Sequence, residues 1–128
     1  MGQRGSKYEF YFNLHDQGVP AWNTWRKDHP DKIIDLSGAN LNYLDLSKVN
    51  FSKVNLDNAR FQGTNFRDAD FQLSSLRFVN IYRCTLDGAN FYGVKSSFVT
   101  IVDTSLATVQ GKEFLNGALC RTSRSSML

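Results

Sequence analysis

Large apolar side chains recur at every fifth position along most of this 128-residue chain. Leu36, Leu41, Leu46, Phe51, Leu56, Phe61, Phe66, Phe71, Leu76, Ile81, Leu86 and Phe91 keep the phase. Ser96 interrupts it, and Ile101 and Leu106 resume it. Two residues before each lies a smaller side chain, as in Ile34, Ala39, Val49, Ala69, Cys84 and Val94, and the residue between is polar, often Asn or Asp. A period of five fits no straight element. On an α-helix, at roughly 100° per residue, each repeat rotates by roughly 140°, so no single face collects the Leu and Phe residues. On a straight strand, two-residue alternation throws successive ones onto opposite faces. A chain that turns a corner every five residues satisfies both constraints. The small and the large residue point inward, and the others form the bend and face water. Repeated corners wind the chain into coils that stack about 4.8 Å apart and bury apolar side chains only against their neighbours.

The run Asp35-Leu36-Ser37-Gly38-Ala39-Asn40-Leu41, with Phe61, Phe66, Phe71 and Phe91 in phase, resembles the pentapeptide repeat family. That family's motif is a small residue, Asp or Asn, Leu or Phe, then two variable polar residues. The resemblance implies an all-β solenoid: a right-handed quadrilateral β-helix with four units per coil, hence about four coils here. Residues twenty apart then stack. Phe51, Phe71 and Phe91 form one inner column, and Leu41, Phe61, Ile81 and Ile101 another. Outside, Lys48 falls over Asp68, Asp57 over Arg77, Arg67 over Asp87 and Arg83 over Asp103. Each exposed pair is worth about 0.2–1 kcal/mol, and together they favour one register. Stacking three units per coil also pairs opposite signs, so the count of four rests on the resemblance.

Three segments are expected: an N-terminal cap with a short helix (1–32), the β-helix (33–110), and a C-terminal cap with a flexible tail (111–128). Residues from Val19 to His29 read as a helix with Pro20 in its first turn and Pro30 at its end. Trp22 and Trp25 share a helical face and are expected to cover the open apolar end of the first coil; a Trp-bearing helix here is also similar to what many members of the family show. Tyr8-Glu9-Phe10-Tyr11-Phe12 reads as a short strand or as part of the same cap. Phe114, Leu115 and Leu119 are expected to close the last coil as a short helical turn, before a polar, flexible stretch from Arg121 to Leu128.

Charge excludes some functions. The net charge is +3, but between Ile33 and Ala107 seven acidic residues (Asp35, Asp45, Asp57, Asp68, Asp70, Asp87, Asp103) balance seven basic ones (Lys48, Lys53, Arg60, Arg67, Arg77, Arg83, Lys95). The best-known activity of the family is protection of type II topoisomerases by mimicry of duplex DNA. That requires a dense line of uncompensated negative charge, so a topoisomerase-directed regulator is the disfavoured alternative. Arg26, Lys27, Arg121 and Arg124 make the ends basic and leave a nucleic-acid or membrane-surface binder as another, although no basic strip follows one face. No apolar run approaches the roughly 20 residues of a membrane span, and the first residues lack the apolar stretch of a secretory signal. The expected localisation is cytoplasmic.

Catalysis is not expected. His15 and His29 are isolated, and Cys84 and Cys120 belong to no CxxC or Cys/His cluster. No phosphate-binding loop, dinucleotide fingerprint or HExxH occurs, and the Asp residues sit where turns need them. No catalytic residue, cofactor, metal or small-molecule substrate is therefore assigned. The departures from the repeat lie outside. Bend positions that should be polar are Leu73, Phe78, Tyr82, Tyr92, Phe98 and Val102, where earlier coils carry Asn58, Gln62 and Asn42. Phe78 stacks under Phe98 and Tyr82 under Val102. Exposed apolar surface of this kind marks an interface for a protein partner or a second copy. Alternatively, the C-terminal segment folds back over it, or Phe98 turns inward to fill the gap at Ser96. The expected function is a non-enzymatic protein–protein interaction or scaffold module.

Overall fold

A computed structural model describes residues 13–121. Its corners begin with the polar residue of each unit. In eight units the Oδ1 of Asp35, Asn40, Asp45, Asn50, Asn55, Asn65, Asp70 or Asn90 accepts the N–H two residues ahead, at 2.9–3.2 Å. A short side chain that bonds its own backbone bends the chain there. Three residues after it the backbone goes left-handed, with φ between 51° and 75° at every fifth position from Gly38 to Asp103. The units that open on another residue tend to straighten. Arg60, Ser75, Lys95 and Thr100 begin strands β1 (Arg60–Gln62), β2 (Ser75–Arg77), β4 (Lys95–Ser97) and β5 (Thr100–Val102). Asn80 begins β3 (Asn80–Tyr82) without closing such a turn, and Leu119 begins β6 (Leu119–Arg121).

The coils join through parallel backbone ladders. Leu36 N–H donates to Asn55 O at 2.8 Å and Asn55 N–H returns to Ile34 O at 3.0 Å, and this exchange repeats up the solenoid. Four ladders define four faces. The first runs Asp35–Asn55–Ser75–Lys95, the third Asp45–Asn65–Thr85 and the fourth Asn50–Asp70–Asn90–Gln110. The second runs Asn40–Arg60–Asn80–Thr100–Leu119 and contains the sheet β1-β3-β5-β6. Each step is twenty residues, so a coil holds four units and the architecture is the right-handed quadrilateral β-helix. The last step is the exception: Thr100 pairs with Leu119, nineteen residues on.

Inside, Phe71 and Phe91 stack at 4.7 Å and Phe51 tilts against Phe71 at 5.9 Å, while Phe66 meets Phe61 and Phe71 edge-on. Leu41, Phe61, Ile81 and Ile101 are buried as the second column. Ser74 is fully buried between Val54 and Val94 of its column, and its hydroxyl has no partner. Three of the four expected ion pairs form: Arg67–Asp87 at 3.4 Å, Arg77–Asp57 at 3.8 Å and Arg83–Asp103 at 3.5 Å. Asp68 does not pair with Lys48, because its carboxylate leans the other way, over the bare Cα of Gly88.

The N-terminal cap replaces a missing coil. A π-helical turn, Asn13–Gln17, leads into α1 (Gly18–Asp28). In a longer solenoid the carbonyls of Lys48, Asn50 and Ser52 would accept N–H groups from the preceding coil. Here Asn23 Nδ2 takes Lys48 O, Trp22 Nε1 and Arg26 Nη1 share Asn50 O, and Arg26 Nη2 takes Ser52 O, at 2.8–2.9 Å. Asn23 Oδ1 accepts Asn50 N–H at 2.8 Å. Trp22 is buried and edge-on to Phe51, but Trp25 only flanks it and stacks on His29 at 4.5 Å. Arg26, read from sequence as part of a basic end, is buried in the cap instead. Burial pushes its pKa down and the charge of Asp70 pulls it back up.

At the other end a 3₁₀ turn, Lys112–Leu115, seats Leu115 in the core and lays Phe114 against it. Leu119 differs from expectation. It lies on β6 and is exposed, because the chain re-enters the second ladder after the turn. The segments Tyr8–Phe12 and 122–128 lie outside the described residues.

Two stability measurements follow from this packing. Ser74→Val, which removes the orphan hydroxyl and matches its column, is expected to raise the unfolding free energy by about 1 kcal/mol in denaturant titration. Arg26→Met keeps the stem and removes both carbonyl contacts; a loss of about 2–3 kcal/mol is expected in the same titration.

Candidate interaction surface

The outward corners decide what the solenoid displays. At the corner between the first and second faces the left-handed residue is Gly38, then Asn58, then Phe78 (φ 59°), then Phe98 (φ 54°). Glycine adopts this conformation freely and Asn tolerates it, whereas a bulky L-residue there costs about 1–2 kcal/mol. The same corner changes form. Ala39 N–H to Leu36 O and Ala59 N–H to Leu56 O close it in the lower coils. Among the described residues no such bond closes Leu76–Val79 or Ser96–Val99, where β2 and β4 run straight. Both rings face solvent, Phe78 at 55% and Phe98 at 75% exposure, and they stack on each other at 5.1 Å and 5°.

The six residues singled out from sequence do not form one patch. Phe78 and Phe98 border the second face, and Tyr82 and Val102, paired across β3 and β5, lie partly buried on it. Leu73 and Tyr92 sit at the far side of the first face. Leu73 packs over Gly93, where an added Cβ would come within 2.6 Å of it, and Tyr92 meets Phe114 edge-on at 4.9 Å. The C-terminal segment thus reaches Tyr92, and Phe114 O accepts the Ser96 hydroxyl at 2.8 Å. Among the described residues, which end at 121, it leaves Phe78 and Phe98 uncovered, and Phe98 does not turn inward. Leu119, 53% exposed and paired with Thr100, adds to the second face. The repeat could not announce it, because the nineteen-residue step breaks the period. Arg83 lies over the Tyr82 ring at 5.2 Å, and its ion pair with Asp103 bounds the face at its other corner.

Elsewhere, His29 and Cys84 lie against backbone carbonyls. His29 Nδ1 is 2.9 Å from Trp25 O. Cys84 is buried with its thiol 3.3 Å from Phe61 O, and burial raises its pKa, whereas Cys120 is exposed. Among the described residues no three His, Cys, Asp or Glu converge as metal ligands, and no helix is long and apolar enough to cross a membrane. The depressions are shallow: about 470 Å³ between α1 and Asp45–Lys48, and about 290 Å³ on the second face among Asn42, Arg60, Gln62 and Tyr82. In the first, Ser47 Oγ donates to Asp45 Oδ1 at 2.9 Å, but the same oxygen accepts Ser47 N–H at 3.2 Å, the bonding that forms the corner.

Residues 34–72 and 55–93 match the pentapeptide repeats, in eight copies. No curated protein matches the chain. Among solved structures, QnrB1, a plasmid-mediated fluoroquinolone resistance protein, aligns at 24% identity over 59% of this chain and 46% of that one, with a TM-score of 0.43. The chain thus spans about half the length of that structure. The protein alr5209, a pentapeptide repeat protein from Nostoc Pcc 7120, aligns at 19% identity over 77% of this chain and 93% of that one, with a TM-score of 0.28.

The corner geometry predicts that Phe78→Asn combined with Phe98→Asn raises stability by about 0.5–1 kcal/mol in thermal or denaturant unfolding, since two strained positions relax and one aromatic stack is lost. For the thiols, alkylation of the native protein at pH 8 is expected at Cys120 long before Cys84. Because the folded pKa of Cys84 lies above its unfolded value, stability should fall as pH rises past about 9, and less so in Cys84→Ser.

Proposed function

The chain belongs to the pentapeptide repeat family, and on that premise we propose that it is a cytoplasmic, non-enzymatic protein-interaction module that binds through its second face. One observation carries the reading. Phe78 and Phe98 occupy left-handed corner positions where the lower coils use Gly38 and Asn58, and their rings remain in solvent. A folding role would favour Asn or Gly there; a binding role accounts for aromatic side chains kept at a backbone cost. The Asn and Asp residues are engaged in turn formation, which supports a scaffold over an acid–base site.

Neither alternative gains a comparable observation. The solenoid's charges are balanced and three of its Asp residues are ion-paired, so a DNA-like line of negative charge is not supported. Of the basic ends, Arg26 is spent on backbone carbonyls and cannot also track phosphates.

Proteins captured from the source cells by the wild-type chain are expected to be lost when the bait is Phe78→Asn/Phe98→Asn. Identical capture by both baits, together with identical solution masses, would sink the proposal.

A further inference from the structure

Resting on that reading, we infer that the occupant of the second face is another copy of this chain, docked side to side and antiparallel. A two-fold axis lying in the face and perpendicular to the solenoid exchanges the coil of β3 with the coil of β5 and keeps each column opposite its own kind. Phe78 then meets the partner's Phe98, Tyr82 meets the partner's Val102, and Arg83 meets the partner's Asp103. Every contact occurs twice, as an isologous interface requires. The charges alternate in the sense this needs, with Arg83 on one coil and Asp103 on the next. A parallel arrangement would reverse the columns instead and set the Phe78/Phe98 corner against the Arg83/Asp103 corner.

The size also fits. A whole aromatic side chain presents about 150–250 Å², so Phe78, Phe98, Tyr82, Val102 and Leu119 together offer roughly 400–500 Å² of apolar surface. With a polar rim from Asn80 and Thr100, this comes to roughly 500–650 Å² per partner, at the low end of the standard interface class. The rung spacing helps as well. Two phenyl rings 5.1 Å apart and nearly parallel form a flat ridge that a second, inverted ridge can lie against.

The experiment uses the wild-type chain, Arg83→Asp, Asp103→Arg and Phe78→Asn/Phe98→Asn in analytical ultracentrifugation over a concentration series, with circular dichroism to check folding. The wild type is expected to dimerise with concentration, and the double Asn variant to remain monomeric. Each charge variant alone places like charges across the axis twice and should dimerise at least about tenfold more weakly. An equimolar mixture of the two should recover the dimer, because every facing pair is then again opposite. The mixture cannot repair the pair within either chain, so recovery reports contact between chains. A monomeric wild type, a dimer that survives the Asn substitutions, or a mixture no tighter than its components would each overturn the inference. If Asp103→Arg fails to fold, amide hydrogen exchange of the wild type serves instead. Slowing with concentration should be confined to β1, β3, β5 and β6 of the second face and the Phe78 and Phe98 corner, and slowing elsewhere or nowhere overturns the inference. A monomer that still captures other proteins through Phe78 and Phe98 removes the second copy but leaves the interaction module standing. A monomer whose captures ignore those rings removes both.

Discussion

Each coil is held by backbone hydrogen bonds to the coil before and after it, and these form only if the chain returns to the same place every twenty residues. That condition explains the corners. A left-handed residue every fifth position turns the chain, an Asn or Asp side chain bonded to its own backbone sets the bend in most units, and Leu or Phe then points inward. Nothing local would hold these short extended pieces in place. Strands of three residues are marginal alone, and here they persist because each is paired with at least one strand of a neighbouring coil and sealed by a shared core.

A structure built on such ladders is vulnerable at its ends, where backbone groups lose their partners. The two ends meet this differently. At the start, side chains of α1 supply the donors and the acceptor that a preceding coil would have supplied, and Trp22 closes the aromatic column above Phe51. Burying Arg26 for this purpose is costly, and it is tolerable because both of its terminal nitrogens find carbonyls and Asp70 offsets its charge. At the finish, a 3₁₀ turn carries Leu115 and Phe114 across and returns the chain one residue early, to pair β6 with β5. That early return places Leu119 on the outside.

The corners also separate folding from display. Inward positions answer to packing, so substitutions there are constrained by neighbouring coils. The left-handed corner points outward and asks only for a backbone conformation, for which Gly and Asn are the easy solutions. Aromatic residues at two consecutive levels of one corner therefore cannot be credited to the core, and a stacked, exposed pair beside a polar but largely uncharged face has the composition of an interface centre.

The period of five by itself determined that the chain coils and which residues form the core, because both follow from side-chain spacing and residue type. The helix near Trp22 and the outward position of Phe78 and Phe98 were legible for the same reason. Tertiary structure alone decided the rest. Four units per coil, rather than three, depends on which backbone groups meet across coils, and charge patterns allow either. Arg26 read as a surface cation because its partners, the carbonyls of Asn50 and Ser52, are generic backbone groups that no side-chain pattern encodes. Leu73 and Tyr92 parted from Phe78 and Phe98, and Leu119 joined them, because membership of a face is set by corner geometry and by one nineteen-residue step. Side-chain identity specifies what each position prefers; where the positions meet depends on the closure of the coil.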